Sequence, residues 1–120
     1  MSKQKTIYIS GKMGEKVLSR ETRRKFEIAQ YDLTEEGWKV CNPACHMYQR
    51  EMQIQVEKAR QRCPQNNCNF DTYTYALLYD MHSVAACDAI YMLKDWYDSL
   101  GATAEFYYAK ACGKEIVFEK

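Results

Sequence analysis

A chain of 120 residues, 47% of them hydrophobic, is long enough for one compact core and too short for two. Its formal charge of +1 supplies no bulk attraction to a nucleic-acid polymer or a membrane surface, so any anion it binds must be held by local groups. The opening MSKQKTIYIS lacks an apolar run of signal-peptide length, and no segment approaches the roughly 20 apolar residues of a membrane span. A cytoplasmic protein with free thiols is the expectation.

TIYIS at 6–10 reads as a short β-branched and aromatic strand feeding a Gly-Lys-Met-Gly turn at 11–14. Residues 15–36 carry Val17, Leu18, Phe26, Ile28, Ala29 and Leu33 among many charges, a helical pattern that Gly37 stops. The basic run at 20–25 is interrupted by Glu21 and followed by Glu27, the pattern of a solvated helix face. Residues 38–41 form a second strand closed by Asn42-Pro43, 47–62 a charged helix, and CPQNNCN a loop. Asp71 or Thr72 caps a helix running to about 86. AIYML at 89–93 is the third strand, KDWYDS a loop, 100–112 a helix, and EIVFE at 115–119 the last strand.

Strands alternating with helices predict an α/β fold, a parallel sheet covered on both faces by right-handed crossovers. With four strands the economical arrangement is a flavodoxin-like, Rossmann-like three-layer sandwich of order 2-1-3-4. Its ligand crevice lies beyond the carboxyl ends of strands 1 and 3, which brings the loops at 11–14 and 94–101 side by side. The whole chain, 1–120, is expected to be one domain, with a cysteine-bearing insert at about 45–70.

Two acids fall on apolar helical stripes. Successive helical residues advance about 100°, which sets Glu105 opposite Thr103 and on the buried side with Tyr108, Ala109 and Cys112. Asp80 joins Tyr73, Leu77, Val84 and Cys87 on a second stripe. A buried acid is paired, hydrogen-bonded or functional. Two aimed at one crevice suit cleavage at an anomeric carbon, where one carboxyl attacks and the other protonates the leaving group.

Backbone N–H groups at Gly11–Gly14, with Lys12 or Lys16, offer an anion site, and Ser99 and Gly101 do the same at the start of the Glu105 helix. The plain alternative for both loops is a tight turn. Tyr8, near the end of strand 1, is placed to orient a carboxylate, and Trp96 to stack on a base or to cover the core. His46 and His82 have no visible catalytic partner. Cys41, Cys45, Cys63 and Cys68, with His46 as an alternative ligand, form the one zinc candidate, at spacings looser than C-x-x-C. Buried or loop cysteines are the preferred reading, and neither a metal nor a cofactor is expected.

IYISGKMG, YDMHSVAACDAIYML and DWYDSLGATAEFYYAKACGKEIVF together resemble the nucleoside 2-deoxyribosyltransferase superfamily, including 2'-deoxynucleoside 5'-phosphate N-hydrolases and small phage and bacterial domains. The residues between about 15 and 62 match only in outline. The resemblance implies that Glu105, in the motif S-x-G-x-x-x-E, is the nucleophile at C1' of deoxyribose. It further implies that Tyr8 is hydrogen-bonded near it, that Asp80 handles the base or its proton, and that Gly11, Lys12 and Met13 form the loop behind. Ser99 stands where the transferases carry aspartate, as in the hydrolases that act on 5'-phosphates. Relatives complete the neighbour's site with a further strand and tail, which implies a homodimer or higher homo-oligomer, whereas this sequence stops just after strand 4.

The expected activity is hydrolysis of a deoxyribonucleoside 5'-monophosphate, or transfer of its deoxyribose to another base. A non-catalytic nucleotide-binding or protein-interaction module on the same fold is the alternative.

Overall fold

The computed structural model describes residues 4–13, 17–63 and 70–120. Among these, β1 (Thr6–Ser10), β2 (Lys39–Cys41), β3 (Ala89–Met92) and β4 (Glu115–Phe118) form a parallel sheet of order β2-β1-β3-β4, as expected. Helices α1 (Arg20–Glu35), α2 (His46–Arg62), α3 (Thr72–Ala86) and α4 (Leu100–Ala111) connect the strands.

Alternation along β1 divides the core in two. Ile7 and Ile9 point toward α1, where Phe26, Ala29 and Leu33 recur at helical spacing and Ala89 and Leu93 join them. Tyr8 points to the opposite face with Ile90, Met92, Val84 of α3 and Ala109 of α4. The result is a three-layer, flavodoxin-like sandwich whose winding direction reverses between β1 and β3.

Helix α1 starts five residues later than the periodicity predicts, because the Ser19 side chain accepts the Thr22 N–H and caps the helix at Arg20. It ends at Glu35, capped by Glu36, and the chain turns away at Gly37, whose φ of 98° few other residues adopt. Within the 94–101 connection, Trp96–Asp98 form one 3₁₀ turn. No helix among the described residues is long and apolar enough to cross a membrane.

Helices α2 and α3 form an antiparallel hairpin. Tyr48 near the start of α2 meets Tyr79, Asp80 and Ser83 in the second half of α3. The hairpin overhangs the carboxyl end of the sheet, so of α3 only Val84, with the capping Cys87, is fully buried. Tyr73, placed on the packed stripe by the sequence pattern, is 58% exposed at the overhang.

The turn after β1 needs a glycine. A Cβ at Gly11 would stand 2.6 Å from Leu93 Cδ1 and 3.0 Å from Leu93 Cβ, and Leu93 is fully buried. Gly11→Ala is therefore expected to destabilise the fold by about 1–3 kcal/mol, seen as a lower urea midpoint at unchanged slope.

Candidate active site

Helix α4 begins at the sheet's carboxyl end, capped by Ser99, whose side chain accepts the Ala102 N–H. Its inward stripe is Ala102, Glu105 and Ala109. Two residues expected on that stripe lie elsewhere. Tyr108 is 36% exposed because it sits about 90° from the stripe's centre, and Cys112 is exposed because it follows the last helical turn.

Glu105 is 3% exposed and bonded at both oxygens. The Ser10 hydroxyl donates to Oε1 at 2.6 Å and the Tyr8 hydroxyl donates to Oε2 at 3.2 Å. Both donors come from β1, two residues apart and therefore on one face. Burial pushes the Glu105 carboxyl up to about 8, the Asp80 charge adds to this, and the two hydroxyls oppose it. The Tyr8 phenol is held well above its usual range, chiefly by burial and then by Glu105, so it stays a donor.

Asp80 lines the same cavity, of about 270 Å³, as Glu105, Gly11, Lys12, Ser99 and Gly101. Asp80 lies eight residues beyond Thr72, about 12 Å along the α3 axis. The overhang carries the first two turns of α3 past the sheet end, which leaves Asp80 level with the site. A Cβ on Gly101 would stand 3.2 Å from the Tyr73 hydroxyl and 3.8 Å from Leu77, so the first turns of α3 and α4 close one wall. Burial raises the Asp80 carboxyl to about 6, against a hydrogen bond from Tyr48 at 2.7 Å.

The two loops of the switch point are joined by charge. The Lys12 N–H donates to Asp95 at 3.0 Å, Lys12 Nζ pairs with Asp98, and Lys25 Nζ bonds both Asp95 and the Lys12 carbonyl. The basic run on α1 is thus not wholly solvated, since Lys25 clamps this rim. Met13 lines the cavity, while Gly14 and Lys16 lie outside the described residues. At the start of α4 the Leu100 and Gly101 amides belong to the first turn, which has no intrahelical acceptors.

Two expected roles need correction. Trp96 does not line the cavity: its ring stacks on Phe106 at 4.7 Å and lies 6.2 Å from Phe118, covering the core beside α4. Partners with large apolar faces on both α4 and β4 outcompete the open mouth for the indole. The cysteine set is divided by α2, with Cys45 capping its start and Cys63 its end, about 25 Å apart along 17 residues. Cys63 therefore cannot share a metal with Cys41 and Cys45, and Cys68 lies outside the described residues.

Sequence reasoning missed Ser10, Tyr48 and Asp98. The signal for Ser10 was present, because a residue two beyond Tyr8 on a strand shares its face. A second depression, of about 520 Å³, lies along the start of α1 among Leu18, Arg20, Arg23, Arg24 and Glu27 and contains no buried carboxyl.

The chain is thus a flavodoxin-like, parallel α/β domain with a doubly bonded, buried glutamate and a second carboxyl lining one cavity at the switch point. Over residues 5–118 the chain matches the model described as Domain of unknown function (DUF4406), and it belongs to that family. No curated protein matches the chain, nor does any solved structure.

Proposed function

We propose that the domain is an N-glycosidase that cleaves the bond between base and sugar in a deoxyribonucleoside 5'-monophosphate, or transfers the sugar to a second base, as the resemblance to the nucleoside 2-deoxyribosyltransferase superfamily implies. The observation that carries this reading is Glu105, buried, fixed at both oxygens by Ser10 and Tyr8, and sharing its cavity with Asp80.

In the first step the Glu105 carboxylate attacks C1' while the C1'–N bond breaks, its electron pair leaving with the base and the Asp80 proton moving onto the base. The sugar is left esterified to Glu105. In the second step water attacks C1', Asp80 takes the water's proton, and the Glu105 carboxylate departs. A second base in place of water makes the reaction a transfer. The first-turn amides of α4, the Ser99 hydroxyl and Lys12 supply a seat for the phosphate, with Lys12 exchanging Asp98 for it. An exposed ion pair costs little to exchange.

Leu100 and Tyr73 line the cavity yet are exposed, which supports a homodimer or higher homo-oligomer in which a second copy covers the pocket. A second reading, a binding module without turnover, is favoured by the protonation of Glu105 near pH 8, since a neutral carboxyl donates a hydrogen bond and does not attack.

A panel of deoxynucleosides and their monophosphates separates the readings. Wild-type protein is expected to release free base from a monophosphate and Glu105→Ala to release none. Binding without release by the wild type would establish the module instead.

A further inference from the structure

Asp80 is gripped from outside the cavity by a residue of the helical insert. The Tyr48 hydroxyl donates to Asp80 Oδ1 at 2.7 Å, and lies 2.8 Å from Ser83 Oγ. Tyr48 is fixed in turn, its ring meeting Tyr79 edge-on at a centroid distance of 5.3 Å. Helix α2 thus touches the chemistry through one hydroxyl, although none of its residues lines the cavity.

A carboxyl with one oxygen occupied by a donor takes its proton on the other. No hydrogen bond among the described residues reaches Asp80 Oδ2. We propose that Tyr48 is a positioning residue for Asp80: by donating to Oδ1 it fixes the carboxyl's orientation and reserves Oδ2 as the oxygen that carries the proton to the departing base. This rests on the glycosidase reading and extends it to the insert, which becomes part of the proton-delivery apparatus.

The other groups around Asp80 do not substitute for Tyr48. Tyr8 on β1 donates to Glu105, Cys41 at the end of β2 is a thiol pushed up by Cys87 and by burial, and Glu105 on α4 is the second carboxyl of the cavity. Tyr79 and Ser83 are on Asp80's own helix, and Ser83 reaches it only through Tyr48. Removing the Tyr48 hydroxyl therefore removes the donor that favours the ionised form.

Tyr48→Phe tests this with the ring packing retained, and Ser83→Ala is a milder second variant. Carbon-13 NMR titration of the Asp80 carboxyl, which requires no turnover, is expected to show the midpoint moved upward from about 6 in Tyr48→Phe and less so in Ser83→Ala. Base release is expected to fall roughly tenfold in kcat at nearly constant KM. A 4-nitrophenyl 2-deoxyriboside 5-phosphate, whose leaving group departs as a stable anion, should lose far less. An unmoved Asp80 midpoint, an unchanged kcat, or an equal loss on both substrates would each overturn the proposal. If wild-type protein releases no base while the midpoint still moves, the glycosidase reading fails and the Tyr48–Asp80 coupling stands by itself.

Discussion

Glu105→Gln is expected to lose base release by at least about 10³-fold and yet to unfold at higher urea than the wild type at neutral pH. Glutamine has nearly the same shape, and both hydroxyls that face Glu105 can rotate, so Ser10 and Tyr8 retain partners on the amide. It has no charge to desolvate. The folded chain holds the Glu105 proton up to about pH 8, against 4.5 for the ordinary carboxyl of an unfolded chain. Between those values the folded state binds more protons than the unfolded one. The contribution of Glu105 to wild-type stability is therefore fullest below about 4.5 and declines as pH rises toward 8. The variant escapes this decline, and its advantage grows to roughly 3 kcal/mol at pH 7. Urea unfolding of both proteins at pH 4.5, 6 and 7.5 measures it. A difference that does not change with pH would show that Glu105 is not desolvated as the geometry requires.

What was legible in the sequence follows from the range over which each interaction acts. Glu105 could be singled out because a charge broke a short-range periodicity, and the sheet order because strand–helix alternation leaves few topologies open. Tyr8 and Ser10 share a face by strand geometry, so the pair was available from local rules alone. Tyr48 was not, because it meets Asp80 across 32 residues and two helices whose mutual packing no local pattern specifies. Its helix buries only Val56, so its periodicity says little about orientation. Trp96 had two compatible environments, and the choice depended on where Phe106 and Phe118 came to lie after folding. The Lys12–Asp98 and Lys25–Asp95 pairs likewise depend on two loops meeting. Charge patterning within α1 described Arg20 and Arg24 adequately, as exposed side chains, but could not foresee that Lys25 reaches across to β3's loop. The overhang of α3 is the largest such effect: it arises from pairing with α2, and it decides whether Asp80 is buried beneath the sheet's end or open to the cavity.

Asp80→Asn is expected to reduce base release by about 10²–10⁴-fold and to change the form of the pH profile. In the wild type the productive state has one proton between the two carboxyls, with Glu105 ionised and Asp80 protonated. Below about 6 both acids are protonated, so the nucleophile is lost, and above about 8 both are ionised, so the proton for the base is lost. Activity should therefore pass through a maximum between these values, whose limbs belong to the pair and not to either residue. Within the one-proton state the proton rests mostly on Glu105, the more strongly raised group. Its transfer to Asp80 gives the productive form, and both forms share one pH dependence. Asparagine removes the charge that helps raise Glu105, so in the variant Glu105 ionises at lower pH, and no second acid remains to titrate at the alkaline side. The residual activity should rise along a single limb, set by Glu105 alone and lying between the two limbs of the wild type, and then stay level through pH 9. A descending limb that survives in Asp80→Asn would assign the leaving-group proton to another residue.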